Sequence, residues 1–151
     1  MSDLLLLQFR LDETDYTIAS DLVEEVLPML PIRQLPGAPV SVLGVCAVRG
    51  ELLPVLDPRP RLGLPPWRPT VEAHLLKVQA AGKRAVIVVD QAEDVVPAQA
   101  AEICRPGAVA PKVPYGMGVL RRGERDLIVL DLEALVNQDD WSTAEAMRRG
   151  R

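Results

Sequence analysis

Short apolar runs separated by turn-forming residues recur along most of the chain, and that spacing predicts β-strands in preference to long helices. Leu4 to Leu11 (LLLLQFRL) predicts a first strand, Asp12 to Asp15 a polar turn and Tyr16 to Ala19 the return strand. Ser20 or Asp21 is placed to cap a short helix-like segment in which Leu22, Val23 and Val26 share a face, with Glu24 and Glu25 between them. Pro28, Pro31, Pro36 and Pro39 then bar any long helix. Leu43 to Val48 and Leu52 to Leu56 predict a hairpin closed at Arg49-Gly50-Glu51, where Gly50 supplies the positive φ of a tight turn. Pro58, Pro60, Pro65, Pro66 and Pro69 predict an extended connection and the best candidate boundary. Further strands are expected at Ala73 to Val78, Arg84 to Val89, Gly118 to Arg121 and Leu127 to Leu130. A helix from Leu132 to about Arg149 is expected last, acidic at its start and basic at its end, the order a helix dipole favours.

The chain also repeats itself. At an offset of 69, Ile18, Asp21, Glu24, Glu25, Val26 and Pro28 fall on Ile87, Asp90, Glu93, Asp94, Val95 and Pro97. At an offset of 74, Gly44, Val45, Val55, Leu56 and Asp57 fall on Gly118, Val119, Val129, Leu130 and Asp131, the change being a loop insertion. Two related β-units follow, over about 4–64 and 73–131, each expected to close into a small barrel because closure removes exposed strand edges.

Composition narrows the chemistry. With 151 residues, 48% hydrophobic and 25% charged, the sequence suits one domain or two intimately packed ones. No apolar run is long enough for a membrane helix, and Met1-Ser2-Asp3 lacks a secretory start, so a cytoplasmic location is expected. A net charge of −4 without a basic block argues against nucleic acid and anionic membrane as partners. Cys46 and Cys104 are expected to be buried free thiols, and His74 is the single histidine. No metal, cofactor or nucleotide site is expected. One enzymatic reading remains: Asp57, Asp90 and Asp131 each follow a strand and could line one rim, as in a small carboxylate-dependent hydrolase. Capping is the alternative for Asp57 and Asp131, and backbone geometry explains Gly44, Gly50 and Gly63.

The run G-V-x-x-V-R-G-x-L-L-P-V-L-D from Gly44 to Asp57, with P-G-A-P before it and R-L-G-L after it, resembles the signature of the CheW family, the coupling proteins of bacterial chemosensory arrays. Val23 to Val26, Val86 to Asp90 and Leu127 to Leu132 resemble its further motifs, so the likeness covers nearly the whole chain. The resemblance implies a mainly all-β fold of two intertwined SH3-like five-stranded barrels with short helices. It implies a single domain over residues 1–151 and a non-enzymatic adaptor joining a chemoreceptor's cytoplasmic tip to the regulatory domain of a CheA-type histidine kinase. Val23, Val26, Val45 and Val48 would help line a groove for the receptor helix, and core packing is the alternative for Val45 and Val48. Glu25 would pair with a basic partner residue, a merely solvated charge being the alternative. Gly44 would lie at the same receptor or kinase interface, with a backbone requirement as the alternative, and Arg49 would read the partner from the hairpin tip, although a turn also needs a soluble residue there. Ala47 stands where asparagine is usual and Pro58 where leucine is usual, compatible with a coupler for pilus motility or surface sensing instead of flagellar chemotaxis.

Overall fold

In the computed structural model, residues 3–80, 82–104 and 115–136 are described. Eleven strands are present among them: β1 (Leu4–Leu11), β2 (Thr14–Ala19), β3 (Val23–Pro28), β4 (Val42–Val48), β5 (Glu51–Leu56), β6 (His74–Ala80), β7 (Lys83–Val89), β8 (Gln91–Ala98), β9 (Ile103–Cys104), β10 (Gly116–Arg122) and β11 (Arg125–Leu130). A short helix α1 (Leu132–Leu135) follows. The strands form one five-stranded sheet, ordered β3-β6-β7-β5-β4, and one six-stranded sheet, ordered β8-β1-β2-β11-β10-β9.

The expected division into an N-terminal and a C-terminal barrel is redrawn by these ladders. The first repeat (β1 to β5) and the second (β6, β7, β8, β10, β11) exchange strands, so that β6 and β7 complete the sheet of β3, β4 and β5, while β1 and β2 complete the sheet of β8, β10 and β11. The exchange is symmetric. Parallel pairing joins Val55 to Val86 in one sheet and Val129 to Thr17 in the other, which are equivalent positions under the two offsets. A register shift falls between Val42 and Gly44 in one hairpin and between Gly116 and Gly118 in the other.

Alternation within the strands explains why the halves interlock. On β7, Ala85, Ile87 and Val89 enter a central cluster with Leu7, Phe9, Leu11 and Ile18 of the other sheet, while Val86 and Val88 point to a second cluster on the opposite face. A strand buried on both sides needs the nearly continuous apolar run that AVIVV supplies. In the six-stranded sheet Leu7, Phe9 and Leu11 join the centre, whereas Leu6 joins a third cluster with Leu120, Leu127 and Val129.

Several local expectations are corrected. After Ala19 the helix-like segment is one 3-10 turn, Ser20–Leu22, without a side-chain cap, and the chain then enters β3. Pairing with β6 outweighs the helical spacing, because alternate burial of Val23, Glu25 and Leu27 fits a pleated edge. Strand β8 escapes the sequence pattern because Gln91, Glu93 and Asp94 dilute its apolar period, a composition that an edge strand tolerates. The proline-rich connection is no loose boundary: Asp57, Pro58, Arg59 and Leu62 are buried, and Pro60–Leu62 forms a 3-10 turn. Helix α1 begins where expected, with the Asp131 side chain accepting from the Ala134 N–H at 3.2 Å, but it stops at Leu135, with Val136 in a non-helical conformation. The rest of the expected helix lies outside the described residues.

Candidate interaction surface

The β4–β5 turn begins from backbone chemistry. Val48 pairs with Glu51, leaving Arg49 and Gly50 as a two-residue turn with φ values of 50° and 81°. Two positive φ angles match the twist of a tight hairpin; glycine adopts one freely, while Arg49 accepts a less populated conformation. The Arg49 side chain is 71% exposed. Its guanidinium is not free, because Nε donates to Glu25 Oε1 at 3.1 Å and Nη2 donates to Glu25 Oε2. This two-point contact brings the β4–β5 tip to β3, the strand at the far end of the same sheet's order. Hydrogen bonding from Arg49 holds the Glu25 carboxyl below the ordinary glutamate value, and Glu25 in turn raises Arg49.

Around this pair lies a balanced group of charges. Glu24 meets Lys77 Nζ at 3.7 Å and Arg84 Nε at 3.2 Å, and Glu51 meets the same two side chains at 3.9 and 3.3 Å. Three carboxylates and three cations therefore share one rim of the five-stranded sheet. Solvent-exposed pairs of this kind contribute little stability individually, so their arrangement chiefly fixes the charge pattern that a partner would meet.

The other implied site residues divide by burial. Val26 is 44% exposed, and Val23 is half-buried against the central core. Val45 and Val48 are 3% and 2% exposed and belong to the core, the alternative that packing offered for both. Gly44 is buried because another chain segment crosses it: a Cβ there would lie 2.0 Å from the Arg33 carbonyl oxygen, and Arg33 exchanges backbone hydrogen bonds with Val45 at 2.7 and 2.9 Å. The second repeat uses the same device, since a Cβ on Gly118 would lie 2.7 Å from the Cys104 carbonyl oxygen. Arg33, Glu24, Glu51, Lys77 and Arg84 were not legible as participants, because only the fold brings their segments together.

The three aspartates do not make an acid–base pair. Arg59, 1% exposed, donates Nη1 to Asp57 Oδ1 at 3.0 Å and to the Val88 carbonyl at 3.2 Å, and donates Nη2 to Asp90 Oδ1. The remaining Asp57 oxygen accepts from the Trp67 N–H at 2.8 Å, and the Asp90 carboxylate also accepts from the Asp12 N–H. Both carboxylates are thus held by one buried guanidinium, while Asp131 caps α1. Arg59 carried no sequence signal beyond its place among prolines. His74 Nδ1 accepts from the Ala92 N–H at 3.0 Å, a structural contact. Cys46 is buried, and burial pushes its thiol up; Cys104 is exposed, against expectation, because β9 lies at the outer end of its sheet.

A strand-exchanged pair of β-sheets with a charged hairpin rim defines an interaction module of mainly β architecture. Residues 5–140 match the CheW-like domain, and the chain belongs to that family. Similar proteins include a probable chemotaxis protein CheW of Rhizobium etli, 27% identical with 92% of this chain and 91% of that protein covered. Chemotaxis protein CheW of Klebsiella aerogenes is 30% identical, covering 91% of this chain and 84% of its own. The crystal structure of the scaffolding protein TtCheW from Thermoanaerobacter tengcongensis superposes with a TM-score of 0.80 at 23% identity, covering 93% of this chain and 96% of that one, which shows the shared fold. The family places the chain among adaptors of chemotaxis signalling and not among enzymes.

Proposed function

We propose that this adaptor couples a chemoreceptor's cytoplasmic tip to the regulatory domain of a CheA-type histidine kinase, and that it acts in the cytoplasm at membrane receptor arrays. The match of residues 5–140 to the CheW-like domain carries this reading. Among the described residues no helix is long and apolar enough to cross a membrane, consistent with a protein recruited by its partners.

The Arg49–Glu25 rim, with exposed Val26, is the part of the implied surface that supports direct contact. A guanidinium already held by a carboxylate is pre-oriented, so less side-chain entropy is lost when a partner carboxylate or carbonyl joins it. Val45, Val48 and Gly44 act beneath that surface by fixing the hairpin. The test is isothermal titration of the purified protein with the cognate kinase regulatory domain and, separately, with a receptor cytoplasmic hairpin. Saturable binding of both is expected; binding of neither would overturn the coupling role.

A further inference from the structure

The two sheets carry one ion pair in opposite senses. Between β5 and β7, Arg84 Nη1 meets Glu51 Oε1 at 3.3 Å; between β11 and β2, Arg125 Nη2 meets Asp15 Oδ2 at 2.9 Å. Glu51 and Arg125 differ by the offset of 74, and Arg84 and Asp15 by that of 69. The ladders hold the same register, because Val55 faces Val86 in one sheet and Val129 faces Thr17 in the other. The pairs therefore occupy equivalent places with their charges interchanged. The first repeat supplies both carboxylates, Asp15 and Glu51, and the second supplies both guanidiniums, Arg84 and Arg125.

In these ladders a repeat cannot close on itself. Strand β8 lies antiparallel to β1, whose equivalent in the second repeat is β6. Were β8 to take that place beside β6, it would run parallel to β7 two strands away, and a parallel crossover needs about a dozen residues. Asp90 alone separates β7 from β8, and Ser20–Leu22 is as limiting between β2 and β3. The hairpins β1–β2 and β6–β7 must accordingly join another repeat. Two recipients compete: the other repeat of the same chain, as observed, or the same repeat of a second copy, which would trade hairpin for hairpin in a swapped dimer. In such a dimer Asp15 of one copy would face Glu51 of the other and meet Glu24, the carboxylate that Arg84 holds at 3.2 Å, or else Arg84 would face Arg125. The neighbouring Lys77–Glu24 and Gln8–Glu93 contacts, at 3.7 and 2.8 Å, do not separate the cases, since Gln8 can donate to Glu24 and Lys77 can pair with Glu93.

We propose that the interchanged ion pair selects the recipient of each hairpin: it favours pairing of the first repeat with the second within one chain and opposes exchange between two copies. The observed arrangement satisfies both pairs, whereas a dimer built on either repeat sets like charges side by side in its ladder. One exposed ion pair adds little stability, but selection depends on the difference between attraction and repulsion, and it acts in both sheets. It matters most during synthesis, when the first repeat is complete and the second is not.

Refolding of the full chain from urea over a range of protein concentrations, followed by size-exclusion chromatography with light scattering, tests this. Asp15→Arg combined with Arg125→Glu keeps an ion pair inside the six-stranded sheet but turns both like-repeat contacts from repulsive to attractive. The fraction of dimer that persists on dilution should rise several-fold over the parent in low salt, and the rise should shrink in high salt. Glu51→Arg combined with Arg84→Glu makes the same change from the five-stranded sheet and replaces the first variant should that fail to fold. The variant carrying all four exchanges reverses every pair, again opposes like-repeat pairing, and should return to the parent's dimer fraction. Persistent dimer at the parent's level in the double variants would overturn the proposal. So would a fourfold variant that dimerises as much as the doubles, which would trace association to altered surface charge and not to the pairing of the repeats.

Discussion

Arg49, in the turn that follows β4, and Glu25, on β3 at the opposite end of the same sheet's order, meet in a two-point ion pair at the exposed tip of the β4–β5 hairpin. The pair joins two residues that the sequence offered as separate readers of a partner. Each is the other's first partner, and any third molecule meets them together.

Arg49→Ala should therefore leave the melting temperature close to that of the parent, because an exposed ion pair adds little to stability. Binding to whichever partner uses this rim should weaken about tenfold or more, as for an interface arginine that matters. The double exchange Arg49→Glu with Glu25→Arg restores the internal pair but reverses what a partner reads. Titration calorimetry of these variants beside melting curves separates the roles. Recovery of binding in the double exchange would show that the pair serves only to hold the hairpin.

The pH response follows from the direction of the shifts. Glu25 is held low first by the hydrogen bond from Arg49, and Glu102 first by the Gln99 N–H and then by Arg122. A carboxyl whose folded-state value is depressed contributes stability above its unfolded value and loses it as pH falls through the folded one. Both contributions should accordingly fade only in acid, below the ordinary glutamate range. Carboxyl-resolved NMR titration should show Glu25 moving back toward the ordinary value in Arg49→Ala, while Glu102 stays low there.

Gly44→Ala and Gly118→Ala should both destabilise, by about 2–4 kcal/mol each, since the added methyl meets crossing backbone that cannot step aside. Gly44→Ala should be the worse, because its contact of 2.0 Å is the shorter and its φ of 151° already disfavours a side chain. Urea unfolding monitored by circular dichroism checks the ranking. Val45→Ala, by contrast, only empties core volume and should cost about 2 kcal/mol.

Removing Arg59 should be among the most damaging single changes. Arg59→Ala leaves the buried Asp57 and the half-exposed Asp90 without their shared cation, a loss of about 3–5 kcal/mol. Arg59→Lys keeps the charge but cannot reach both carboxylates and the Val88 carbonyl with one planar fork, so it should recover only part of that loss. Equilibrium unfolding of the two variants distinguishes charge from geometry.

The strand inventory was largely determined by sequence, because period, residue type and turn formers act locally: the β1 limits, the β4–β5 hairpin and the Asp131 cap follow from nearby residues. So was the duplication, since the offsets of 69 and 74 are sequence facts that the ladders repeat. Which sheet each strand joins has no local signature, because every strand offers the same backbone donors and acceptors; the exchange of β6 and β7 is fixed where the central cluster forms, in keeping with the intertwined barrels that the resemblance implied. Tertiary structure alone turned Val23–Pro28 from an amphipathic helical spacing into an edge strand, and it buried Val45 and Val48 while leaving Val26 outside. The Arg59 network and the Arg49–Glu25 pair are contacts between residues distant in sequence or hidden among prolines. No local pattern encodes them, and they exist only once the sheets have brought their carboxylates within reach.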